Sequence, residues 1–148
     1  MRRINRAKDK DPVIEALASG DRAIFSSFWS LFIFAAVLGF KNNRREKLSK
    51  FDSNLAIRDD LFTKGDLCFN GIINIIALME VGQEKILLSN DENENSKVTI
   101  FEEYANGGLA ILEEKLESSS YSLESVLAFI AEEKSSAGSK SDDLDITI

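Results

Sequence analysis

The sequence predicts a mainly α-helical fold, on three observations. Proline occurs once and glycine eight times in 148 residues, too few breakers for an all-β chain of many tight turns. Apolar residues make up 44% of the chain, and they fall in runs long enough and spaced suitably for helices. Helix start and stop signals bracket those runs, beginning with Asp11-Pro12, where Asp suits an N-cap and Pro a first helical position.

Taken in order, Arg2-Arg3-Ile4-Asn5-Arg6 is brief and basic, and it is read as a short N-terminal strand. A helix opens at Asp11, carries Val13, Ile14 and Leu17 on one face, and stops at Ser19-Gly20-Asp21. Ser26 or Ser27 caps a second helix, which is apolar nearly all round from Phe28 to Leu38 and ends at Gly39, a residue that C-caps favour. A basic loop follows, Lys41 to Leu48. Asp66 to Glu80 is a third helix, closed by Val81-Gly82. Asn90 to Ser96 is a solvated loop, Thr99 to Leu116 an amphipathic helix containing Gly107-Gly108, and Leu123 to Glu132 the last helix. The whole is one helical domain over residues 1–134, and 135–148 has the composition of a disordered tail.

A helix apolar on all sides must be enclosed on most of them. In so small a chain a second copy is a natural way to do it, and Phe28, Trp29, Phe32 and Ala36 are the expected oligomer interface. The uncharged run 23–40 is at the lower edge of a membrane span. Its serines and its basic flanks on both sides favour a buried helix, and the chain reads as cytoplasmic with no membrane role.

Charge is unevenly placed. Residues 1–50 hold eleven Lys/Arg against five Asp/Glu, a net +6, and residues 51–148 hold seven against twenty, a net −13. Two segments of opposite sign suggest two partners: a polyanion at the basic end and a protein on the acidic body of 51–134. The basic residues fall in two clusters, Arg2, Arg3, Arg6, Lys8 and Lys10, then Lys41, Arg44, Arg45, Lys47 and Lys50. A basic strand, then helix, then helix is the order found in ribbon-helix-helix DNA-binding proteins, whose paired strands enter the major groove. DNA contact is therefore expected through Arg2, Arg3, Arg6, Lys8, Lys10, Lys41, Arg44, Arg45 and Lys47.

Catalysis receives little support. The chain has no His and a single cysteine, Cys68, which excludes Ser-His-Asp and Cys-His chemistry and an internal disulfide. No phosphate-binding or dinucleotide-binding glycine motif is present. Gly107-Gly108 lies inside a helical pattern and is read as a kink or a close helix contact. Asp59-Asp60 with Glu80 or Glu84 and Lys85 form the one conceivable metal-dependent nuclease site, but the spacing matches no such pattern, and a solvated surface is the simpler account. Neither a cofactor nor a metal is expected. The pairs Glu102-Glu103, Glu113-Glu114 and Glu132-Glu133 are read as polar helix faces.

Arg2-Arg3-Ile4, Phe34-Ala35-Ala36-Val37-Leu38-Gly39-Phe40-Lys41-Asn42, Ile73-Asn74-Ile75-Ile76-Ala77-Leu78 and Ile100-Phe101-Glu102-Glu103-Tyr104-Ala105-Asn106-Gly107-Gly108-Leu109, in that order, carry a resemblance across residues 1–132. The chain resembles the small accessory proteins associated with bacterial DNA phosphorothioation (Dnd) systems. The resemblance implies a place in an antiviral defence system that puts sulfur into the DNA backbone and restricts unmodified DNA. It implies other proteins of that system as partners, and it supplies no catalytic residue. The expected function is a non-enzymatic accessory protein that binds DNA through its basic end and a protein through its acidic body. The alternative is a protein–protein adaptor or regulator that never touches DNA.

Overall fold

A computed structural model of the chain describes residues 2–58 and 70–142, with 137–142 described by their backbone alone. Five α-helices follow one another among these residues: α1 (Asp11–Ala18), α2 (Phe28–Lys41), α3 (Asn70–Val81), α4 (Asp91–Leu116) and α5 (Leu123–Asp142). Short 3-10 turns at Lys8–Lys10, Ser53–Leu55, Glu84–Leu87 and Glu117–Ser119 join or flank them. The mainly helical reading holds. Cys68 and Asp59-Asp60 lie outside the described residues.

The organising element is α4, whose 26 residues make a rod of about 39 Å that touches every other helix. Its stretch from Ile100 to Leu112 is buried on all sides. Asn90 caps it, accepting a hydrogen bond from the Asn93 amide at 2.8 Å, and Asp91, Glu92 and Glu94 occupy its first turn. Carboxylates there complement the positive end of the helix dipole, so the acidic stretch read as a solvated loop is in fact helical from Asp91.

The widest packing is between α2 and α4, and glycine is the reason. A methyl group built on Gly108 would fall inside the Ala35 carbonyl, and one on Gly39 inside the Tyr104 carbonyl. The two backbones therefore meet where side chains would normally stand between them. Gly39 is not the stop that sequence suggests: α2 runs on to Lys41, and the Asn42 amide and side chain both donate to the Leu38 carbonyl. The expected cap at the other end is present, Ser27 accepting from the Ser30 amide at 3.3 Å.

This packing also corrects the expected oligomer interface. Phe32 is 1% and Ala36 0% exposed within the single chain, covered by its own helices rather than by a second copy. Phe28 and Trp29 are half-buried at the start of α2, beside a cleft of about 430 Å³ that Leu55, Ile57 and Arg58 also line.

The N-terminal segment forms no strand among the described residues. Ile4, fully buried, exchanges both backbone hydrogen bonds with Ile57 (2.9 and 2.7 Å), Ala7 bridges Phe51, and the Lys8 amide donates to the Lys50 carbonyl at 2.9 Å. Residues 50–57 of the same chain thus occupy the edge that a ribbon partner would need. Toward the other terminus, left-handed Ser120 and Tyr121 lead into α5, which packs on α4 through Val126 and Phe129 and runs through the first part of the segment read as a tail.

Candidate functional site

The residues expected to meet DNA are mostly engaged with the acidic body. The Arg2 guanidinium holds Glu102 by two hydrogen bonds (2.8 and 3.2 Å) and the Thr99 hydroxyl at 3.0 Å, while the Asn5 amide donates to the same carboxylate at 2.7 Å. Arg6 lies over the Phe28 ring at 4.9 Å and pairs with Glu15 at 3.0 Å and Asp11 at 3.2 Å. Lys10 pairs with Asp9 at 3.1 Å, and Lys41 reaches Glu133 at 2.8 Å.

The basic loop after α2 is bound down in the same way. Arg44 grips both carboxylate oxygens of Glu114 (2.7 and 2.8 Å) and Glu46 at 2.6 Å. These hydrogen bonds, Glu114 first, outweigh burial and raise the Arg44 pKa above its ordinary value. Arg45 bridges Glu103 at 2.9 Å and Glu80 at 2.8 Å, and its guanidinium lies 5.9 Å from the Tyr104 ring centre. The loop backbone is fixed too, since the Glu46 amide donates to the Glu103 carbonyl at 3.0 Å and the Asn106 side chain to the Glu46 carbonyl at 3.2 Å. Gly107 leaves room for the Arg44 carbonyl against α4.

Of the nine expected DNA contacts, six (Arg2, Arg6, Lys10, Lys41, Arg44 and Arg45) sit in ion pairs within the chain. Arg3, Lys8 and Lys47 are exposed. Glu102 and Glu103, read as a solvated helix face, are 7% and 8% exposed. Their burial is compensated by Arg2 and Arg45, as buried carboxylates require. Both arginines lie far from them in the chain, and no spacing rule links residues so distant.

The most developed polar cluster is Glu80, Tyr104, Arg45 and Glu103. The Tyr104 hydroxyl donates to Glu80, and Phe40 packs edge-on against the Tyr104 ring at 5.4 Å. An open groove of about 800 Å³ runs beside it between the end of α3 and the start of α4, lined by Glu80, Val81, Ile86, Glu92 and Asn93 among others. Glu80, considered above as a metal ligand, has its carboxylate taken by Tyr104 and Arg45. Glu84 and Lys85 are exposed on the Glu84–Leu87 turn. No helix among the described residues is long and apolar enough to cross a membrane.

The cluster has a pH signature. The Tyr104 hydrogen bond, and then Arg45, hold the Glu80 carboxyl below its ordinary 4.5, against the effect of burial. Burial, and then Glu80, push the Tyr104 hydroxyl up to about 12. A depressed carboxylate contributes stability that is present above pH 4.5 and lost as pH falls through its folded value. The raised phenol contributes stability that is complete below pH 10.0 and lost as pH rises through about 12. In an absorbance titration of tyrosinate, Tyr104→Phe should remove the phase near 12 and leave that of Tyr121. Persistence of that phase in the variant would place the raised pKa elsewhere.

Comparison with known proteins agrees with the resemblance drawn from the sequence strings. The family model described as DNA sulphur modification system-associated protein 4 matches residues 3–148. No curated protein and no solved structure matches the chain. With almost its whole length covered, the chain belongs to the DNA sulphur modification system-associated protein 4 family.

Proposed function

We propose that this family member serves its DNA sulphur modification system as a non-enzymatic adaptor that joins protein partners. The observation that carries the reading is the internal use of the basic clusters. Six of the nine side chains expected to neutralise phosphates already neutralise carboxylates of the same chain. A protein that bound DNA through them would have to give up several ion pairs at once, two of them to buried glutamates. What the surface offers instead suits protein. Ile75 and Met79 stand exposed on α3, Leu123 and Leu127 on α5, and exposed apolar patches on an otherwise charged surface mark interaction sites.

Recovery of the tagged chain from cells expressing the whole system is the test. A stoichiometric complex with other proteins of the system should survive nuclease digestion. Recovery of the chain alone, or of partners that vanish with the nucleic acid, would refute the adaptor reading.

A narrower DNA contact is the second reading, favoured by the exposed Arg3, Lys8 and Lys47. Binding through three residues limits the log–log salt slope to about −3 on duplex DNA. Changing the three together to Ala should abolish such binding, while changing Lys85, Lys115 and Lys134 should not. Equal loss in both sets, or no mobility shift at low salt, counts against any DNA role.

A further inference from the structure

Two exposed patches, one bordering the ion-paired cluster of Arg45 and Glu80 and one apart from it, are complementary in charge and alike in having apolar anchors. At the end of α3 and the start of α4, Val81, Leu87 and Leu88 are exposed, the last at 63%. Around them stand the exposed carboxylates of Glu84, Asp91 and Glu92. None of the three carboxylates has an ion partner among the described residues, and the single lysine among them is Lys85. Glu92 lines the same groove as Val81 and Ile86, so acid and apolar surface are continuous.

The second patch is where the N-terminal segment meets residues 50–57. Lys8 and Lys50 are brought together by the hydrogen bond from the Lys8 amide to the Lys50 carbonyl, and both side chains are exposed. Phe51 is 49% and Leu55 45% exposed beside them. The nearby acids are already occupied, Asp9 by Lys10 and Asp52 by capping the Asn54 amide. Among the described residues no ion pair joins this basic patch to the acidic one.

We infer that the acidic groove of one copy receives the basic patch of a second copy, with Phe51 and Leu55 set against Val81, Leu87 and Leu88. Opposite charges then steer the encounter and fix its register, and the apolar residues supply the contact area. The two faces differ, so the contact is heterologous, and repetition gives a ring or an open filament rather than a two-fold dimer. The inference is independent of whether the system's other proteins bind α3 or α5.

Sedimentation of the full chain tests it through two variants. Glu84→Lys with Glu92→Lys disables the acidic face, and Lys8→Glu with Lys50→Glu disables the basic one. All four residues are exposed, and circular dichroism will verify that the fold is kept. The wild type should show a mass that rises with concentration and falls with salt. Each variant alone should need at least about tenfold higher concentration to associate. Mixed together they should associate again, because the two native faces pair and the two reversed faces are complementary as well. A wild type that stays monomeric, variants that assemble like the wild type, or a mixture that stays monomeric would each overturn the proposal. A monomeric wild type whose acidic face still binds a synthetic lysine-rich peptide would assign that face to a basic partner protein instead.

Discussion

Gly108→Ala is expected to lower the stability of the chain by about 3 kcal/mol, near the upper end for overpacking a core. That is a fall of roughly 10 °C in Tm for a chain of this length. The added methyl would coincide with the Ala35 carbonyl, and a backbone atom cannot rotate away as a side chain can. Relief requires α2 and α4 to separate, which withdraws contact along the widest interface in the molecule. Gly39→Ala meets the Tyr104 carbonyl and should cost about as much. Gly71→Ala is the control: it lies in α3 with nothing within 4 Å of the new methyl, so helix propensity alone should raise stability by about 0.5 kcal/mol. Urea and thermal unfolding of the three variants decide it. A Gly108→Ala protein that melts with the wild type would mean that the helices are not in backbone contact.

The close approach of α2 and α4 was legible in Gly107-Gly108, because a glycine pair inside a helical pattern has few other uses. The partner glycine was not. Gly39 ends a strongly apolar run, which is also where a helix stop belongs, and local sequence cannot separate a stop from a contact made by a residue far along the chain. The start of α4 is hidden for a similar reason. Asn90 followed by acids is a capped helix terminus, yet the same residues have the composition of a solvated loop. Phe32 and Ala36 lie on a helix apolar all round, a pattern that by itself suggests burial by a second copy. One long buried helix, α4, meets that need within the chain.

The charge split was visible in the sequence, but its meaning was not. A net +6 beside a net −13 fits two external partners and fits equally well two parts of one fold that bind each other. What decides is which carboxylates are buried, and burial is set by tertiary packing. Buried Glu103 and exposed Glu114 are eleven residues apart, on the same helical face, so spacing does not separate them.

Arg45→Ala should show how much the internal pairing contributes. The substitution leaves Glu103, whose side chain is 10% exposed, without its cation, and takes from Glu80 one of its two partners. Breaking a fully buried pair from one side costs about 3–5 kcal/mol. The Arg45 side chain is about a third exposed, and solvent screens part of that, so a loss of about 2 kcal/mol is expected. Arg3→Ala, at an exposed position, should change stability by no more than about 0.5 kcal/mol. Adding Glu103→Gln to Arg45→Ala should recover part of the loss, because a neutral amide tolerates burial without a cation, and a double-mutant cycle should return a coupling of at least about 1 kcal/mol. If Arg45→Ala behaves like Arg3→Ala, the basic loop is only loosely held by the acidic body. Its arginines would then be free to reach a phosphate backbone, and the DNA reading would regain the ground that the ion pairs take from it.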